Sequence, residues 1–174
     1  LLTWAARNTG AIIFKKSGNY GVNWTTGKRV DSGAWIYEGT GSPPISGATA
    51  SGYIHIAFER VFDMSWPTGI YARSTDSGAH WQRVQAGPEQ QVVAPILAAR
   101  DTEVYLLFPE HNPFEANLRG DYRCIFKRSL NEGDTWQTEK QLSSGRGVSV
   151  YPFMDLAAGP DGAVAAAWLW NGAS

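Results

Sequence analysis

Three eight-residue segments of this chain superimpose without a gap: Ser17-Gly-Asn19-Tyr-Gly21-Val-Asn-Trp24, Ser74-Thr-Asp76-Ser-Gly78-Ala-His-Trp81 and Ser129-Leu-Asn131-Glu-Gly133-Asp-Thr-Trp136. All obey Ser-x-[Asp/Asn]-x-Gly-x-x-Trp, and they recur at intervals of 57 and 55 residues. A recurrence of that length marks one supersecondary unit used repeatedly, and it restricts the fold more than any single motif does. Each position has a mechanical reason in a tight turn. The Asp or Asn oxygen can accept from backbone N–H groups across the turn, and the Ser hydroxyl can bond the turn backbone. The Gly can take a positive φ, and the Trp can bury a large ring as the chain returns to a sheet. A calcium-ligand or catalytic-acid reading of Asp76 is the alternative. Asn19 and Asn131 keep the acceptor oxygen without the charge, which suits a structural turn.

The repeat extends beyond the turn. A strand-like run precedes each one: 11–16, 69–73 and 124–128. A second run lies upstream at 53–58, 104–108 and 164–168, with Leu1 to Trp4 in the equivalent place at the start. Further upstream a proline leads a short apolar stretch at Pro44-Ile45, Pro95-Ile96 and Pro152-Phe153. Naming these strands A, B and C, with D beginning at the turn Trp, gives four strands per unit. The segment from Gln90 to Arg100 has helix-like apolar clustering, but Pro95 in its middle predicts loop followed by strand. Eight Trp, seven Tyr, seven Phe and nineteen Gly among 174 residues favour sheet over helix.

Four-stranded meanders repeated radially are propeller blades, so the expected fold is all-β, an antiparallel β-propeller portion of about three blades. Residues 1–43 are expected to be strands B to D of a first blade, 44–94 a second blade, 95–151 a third, and 152–174 the start of a fourth. Open blades leave unpaired edges. The expectation is a part of a longer protein, or copies that associate, as in a homodimer completing a propeller.

These turns, with the Ile-x-x-[Lys/Arg]-Ser run before them, resemble the Asp-box (BNR) repeats of sialidase-like propellers, over nearly the whole chain. The resemblance implies a six-bladed ring, an extracellular or periplasmic setting and a glycan or other small ligand. In sialidases it further implies an arginine triad for the substrate carboxylate, a tyrosine nucleophile paired with a glutamate, and an acid/base aspartate. The arginine of the family's Phe-Arg-Ile-Pro motif has no match in this sequence, and no catalytic residue is carried over by motif. Two functions follow as expectations. One is part of a glycan-directed glycoside hydrolase, inactive as this chain alone. The other is a non-catalytic propeller that binds glycans or proteins.

Meander geometry places the A-to-B and C-to-D turns on one face, so variable loops and any site belong on the other. The expected loop from Glu59 to Thr68 carries Arg60, Asp63 and Trp66. The loop from Pro109 to Asp121 carries Glu110, His111, Glu115 and Arg119. The D-to-A loops add Arg29, Asp31, Trp35, Arg146 and Tyr151, and Asp155 lies just inside a strand A. Arg60, Arg119 and Arg146 could grip a carboxylate, or be solvated surface arginines. Glu110 and Asp155 are candidate acid/base groups, against a solvated loop residue and a backbone partner respectively. Tyr151 is a candidate nucleophile or a packing residue beside Pro152. Trp35 and Trp66 could stack on sugar rings or pack under their own loops.

The remaining features narrow the classes. A net charge of −1 gives no basic footprint for nucleic acid, and no run approaches the ~20 apolar residues of a membrane span. The lone Cys124 permits no internal disulfide and reads as a buried strand residue. His55, His80 and His111 fall on a strand, a turn and a loop, which predicts no histidine metal site. Gly39-Thr-Gly41-Ser-Pro-Pro lacks the lysine of a phosphate loop, and no cofactor is expected.

Overall fold

The computed structural model describes residues 1–6, 11–31, 45–60, 68–88, 94–111, 122–143 and 154–169. These residues form four antiparallel sheets, each a meander of consecutive strands. The first holds β1 (Leu2–Ala6), β2 (Ala11–Lys15) and β3 (Lys28–Asp31). The second holds β4 (Ile45–Ala50), β5 (Tyr53–Arg60), β6 (Thr68–Ser74) and β7 (Gln82–Gln85). The third repeats it with β8 (Ile96–Arg100), β9 (Glu103–His111), β10 (Tyr122–Ser129) and β11 (Lys140–Gln141). The fourth is the pair β12 (Met154–Ala158) and β13 (Val164–Trp168). The first strands of the later sheets are neighbours, β4 beside β8 and β8 beside β12. The last strands, β7 and β11, are exposed. The last strands β3 and β11 begin later than the sequence suggests, at Lys28 and Lys140 rather than at Trp24 and Trp136.

Alternation along the second strands explains the stacking. Ile54, Ile56 and Phe58 of β5 face the first sheet and pack with Ile12, Phe14 and Val30. Ala57, on the other face, joins Leu97, Val104, Leu106 and Phe108 of the third sheet. Tyr105 and Leu107 of β9 face the fourth sheet and Leu156. Both faces of the inner strands are therefore buried, which is why their sequences read as continuous apolar runs. Cys124 is fully buried among them, and burial pushes its thiol up to about 11.

The three repeated turns have one geometry. In each, the Ser hydroxyl donates to the Asx oxygen at 2.8–2.9 Å and accepts the Gly N–H at 2.7–2.9 Å. The same Asx oxygen accepts the N–H of Asn23, His80 or Thr135 at 2.8–2.9 Å. Tyr20, Ser77 and Glu132 stand at φ of 55°, 61° and 59°, each followed by its glycine at 81–87°. Asp76 is held well below the usual carboxylate range, first by the His80 N–H and then by the His80 ring and the Ser74 hydroxyl. Its lone pairs serve the turn, and among the described residues no cluster of three metal-ligating side chains exists.

The glycine does a second thing. The Phe14 ring of β2 lies over Gly78 of the next sheet, where a Cβ would collide with it, and meets Trp81 edge-on at 5.3 Å between centroids. Tyr71 of β6 lies over Gly133 in the same way and meets Trp136 edge-on at 5.0 Å. Phe14 and Tyr71 each stand three residues before their own turn's Ser, so the contact repeats with the sequence. Adding a methyl at Gly78 or Gly133 should destabilise the fold by about 3 kcal/mol, combining a left-handed φ with overpacking. Gly21, whose nearest neighbour would be Trp24 at 3.8 Å, bears the φ cost alone, about 1 kcal/mol. Urea midpoints of Gly78→Ala, Gly133→Ala and Gly21→Ala measure the difference.

Between the second and third sheets lies His55, fully buried, its Nδ1 2.8 Å from the Tyr71 hydroxyl and its Nε2 without a partner among the described residues. Burial, with the Arg73 charge adding to it, pushes the imidazole from 6.5 down to about 4. Between those values the unfolded chain binds a proton that the folded chain refuses, so stability falls as pH drops through that window, by roughly 3 kcal/mol in all. Denaturation midpoints against pH should show that slope, and His55→Gln should flatten it.

Candidate functional site

The repeated turns occupy one end of the first three sheets, and charged groups also gather at the opposite end. There β5 and β9 finish, β6 and β10 start, β3 runs out, and β8 and β12 begin. Arg60 and Glu110 occupy the same position of the repeat, six residues beyond Ile54 and Val104, which pair with Ser74 and Ser129. Both lie on strands rather than in the loops the sequence suggested. The ladders Arg60↔Thr68 and Glu110↔Arg123 carry pairing that far.

Each of the two has an ionic partner. Arg60 pairs with Asp31 of β3, joining the second sheet to the first. Glu110 pairs with its cross-strand neighbour Arg123. Asp31 and Glu110 are buried, and a carboxylate out of water requires such a partner. Asp155 on β12 is exposed and accepts the Leu156 N–H at 2.8 Å. Arg60, Glu110 and Asp155 thus share one end of three successive sheets. Arg119, Arg146, Tyr151, Trp35 and Trp66, with Asp63 and Glu115, lie outside the described residues.

Two residues of this end escaped the sequence reading. Arg123 is legible only from the ladder that sets it opposite Glu110. Glu59 precedes Arg60 in an otherwise apolar run, and that interruption was its signal. Its Oε2 accepts the Ala94 N–H at 3.0 Å, across to the chain that leads into β8. Ala94 stands at a φ of 45° just before Pro95, a conformation that alanine resists. Glu59 therefore holds a strained backbone in place. Burial raises its carboxyl above the ordinary range, with the Ala94 N–H opposing in part.

Chemically, this end offers guanidinium groups already engaged with carboxylates, and one carboxyl whose pKa burial raises. As pH rises from the ordinary glutamate range toward the raised value, the unfolded chain ionises before the folded one, so stability is lost with rising pH across that window. Glu59→Gln keeps the acceptor for Ala94 and removes the charge. Its denaturation midpoint should not fall across that window and should equal or exceed the parent's at neutral pH.

No family model matches the chain, and no curated protein does. Among solved structures, a point variant of the NanB sialidase from Streptococcus pneumoniae superposes on 77% of this chain and 19% of its own, with 16% identity and a TM-score of 0.46. The sialidase of Trypanosoma rangeli, in complex with sialic acid, matches 86% of this chain and 25% of its own, with 13% identity and a TM-score of 0.44. The chain spans about a fifth to a quarter of the length of these proteins. At such identities and scores neither carries its activity, its ligand or its residues across.

Proposed function

We propose that the chain is a portion of a sialidase-like, Asp-box β-propeller directed at glycans, with its ligand mouth at the sheet ends remote from the repeated turns. The blades are 1–43, 44–94, 95–151 and 152–174, in a ring of six. The observation that carries this reading is the division of labour between the two ends. At one, the Ser and Asx side chains and the Gly N–H are bound within the turns. At the other, Asp31 pairs with Arg60 and Glu110 with Arg123, and the Glu59 carboxyl accepts the Ala94 N–H.

In this reading Arg60, Arg119 and Arg146 hold a ligand carboxylate, and Glu110 or Asp155 exchanges a proton with the glycosidic oxygen. Tyr151 is the nucleophile, and Trp35 and Trp66 stack on sugar faces. The chain alone lacks turnover, because residues from the remaining blades complete the pocket. One observation favours the second reading, a non-catalytic glycan binder. Arg60 and Arg123 are each already engaged by a protein carboxylate, which competes with an acidic ligand.

The test is titration of the chain with N-acetylneuraminic acid and with galactose, followed by amide NMR shifts. The expected result is saturable shifts from the acidic sugar at the ends of β5 and β9, weakened about tenfold in Arg60→Ala. Shifts from galactose that ignore this substitution would favour the binder. Shifts confined to the turn end, or none with either sugar, overturn the proposal.

A further inference from the structure

The first repeated turn departs from the other two at two positions, and together they spell a recognition signal. Asn23-Trp24-Thr25 has the pattern Asn-x-Ser/Thr, with x other than proline, that an N-glycosylation acceptor requires. The matching positions are His80 and Gln82 in the second turn, Thr135 and Gln137 in the third. Of the seven asparagines in the chain, only Asn23 has Ser or Thr two residues later.

The mechanics of the turn account for neither departure. The His80 ring lies 2.6 Å from the Asp76 carboxylate, and the Thr135 hydroxyl accepts from Asn131 Nδ2 at 2.9 Å, so both side chains brace their Asx. Asn23 gives its turn only the backbone N–H, donated to Asn19 at 2.8 Å, and its side-chain amide bonds no described residue. Gln82 and Gln137 accept from Arg73 and Arg128 across the hairpin, each at 2.7 Å. Thr25 instead accepts the Lys16 N–H at 3.1 Å, which leaves its hydroxyl proton for another partner.

Exposure at this position belongs to the turn and does not depend on what stacks beside the first sheet. The second turn has the Phe14 ring of the first sheet against it, and the third turn the Tyr71 ring of the second. Even so, the His80 side chain is 92% exposed, and Thr135 is exposed as well. Asn23 is exposed in the same way and is followed by irregular backbone from Trp24 to Gly27. A side chain here projects from the end of its sheet into solvent, where a bulky hydrophilic group disturbs no packing.

We infer that Asn23 is an acceptor site for N-linked glycosylation, at the end of the sheets remote from Arg60 and Glu110. The donor is an oligosaccharide carried on a lipid diphosphate, and a membrane-bound transferase is the catalyst. The Asn23 amide nitrogen attacks the anomeric carbon of the donor. A C–N bond forms and the anomeric C–O bond breaks. The lipid diphosphate leaves with the electron pair, and the amide proton passes to a base of the transferase. The Thr25 hydroxyl is the group the transferase reads, so Ser serves in its place and Ala does not.

Cell-free translation of the full chain behind a cleavable secretory leader, with microsomal membranes, tests this on the translocated chains that added protease cannot reach. The expected result is one upward mass shift, of a single oligosaccharide. Peptide N-glycosidase should abolish it and convert the linked asparagine to aspartate. Asn23→Gln and Thr25→Ala should each remove the shift entirely, and Thr25→Ser should keep it. Moving the signal to the second turn, in Asn23→Gln with His80→Asn and Gln82→Thr, should restore the shift at a turn with sheets on both sides. A protected chain of unmodified mass overturns the inference. So does a shift that survives Asn23→Gln, or a relocated signal that stays unmodified.

Discussion

The tip of an aromatic ring set against a glycine of the next sheet is the contact on which the rest of this structure depends. Phe14 against Gly78 fixes the first sheet to the second, and Tyr71 against Gly133 the second to the third, at the turn end, and the turn tryptophans close the rings in edge-on. The glycine meets two demands at once, a left-handed φ and a surface with no Cβ. Because the ring belongs to one repeat and the glycine to the next, a unit cannot complete its own packing. Stacking is therefore written into the repeat itself, as in other repeat architectures.

The hydrogen bonds of the turn make that arrangement indifferent to charge. An Asx oxygen takes the Ser hydroxyl and a backbone N–H, and both Asp and Asn supply it. The turn end is thus settled by geometry. At the other end strands stop at different lengths, and carboxylates are buried against arginines. Asp31 with Arg60 ties two sheets together, while Glu110 with Arg123 ties two strands of one sheet. A buried pair of this kind holds a charged group in one orientation and makes removal of either partner costly.

Much of the strand order was legible. A repeat whose turns declare themselves through Ser, Asx, Gly and Trp locates β2, β6 and β10 before it and the paired inner strands upstream. Pro95 excluded a helix where β8 begins at Ile96. The last strands were less legible, because Thr25 to Gly27 and Gln137 to Glu139 are polar connectors without a strand signature, so β3 and β11 start late. At the charged end, composition pointed to Arg60 and Glu110 without revealing that each is already paired. Glu59 and Arg123 were missed because their importance lies in what they face, and a linear pattern does not state that.

By itself the sequence determined the unit, its period and the chemistry of its turn, since those rest on contacts within about eight residues. Only the tertiary structure decided which repeats are satisfied. The three turns follow one pattern as text, but a turn glycine is covered only where a neighbouring sheet brings a ring to it. Gly78 and Gly133 are covered, whereas Gly21 lies open. That distinction comes from the order of stacking, a long-range relation between residues some sixty positions apart, such as Phe14 and Gly78.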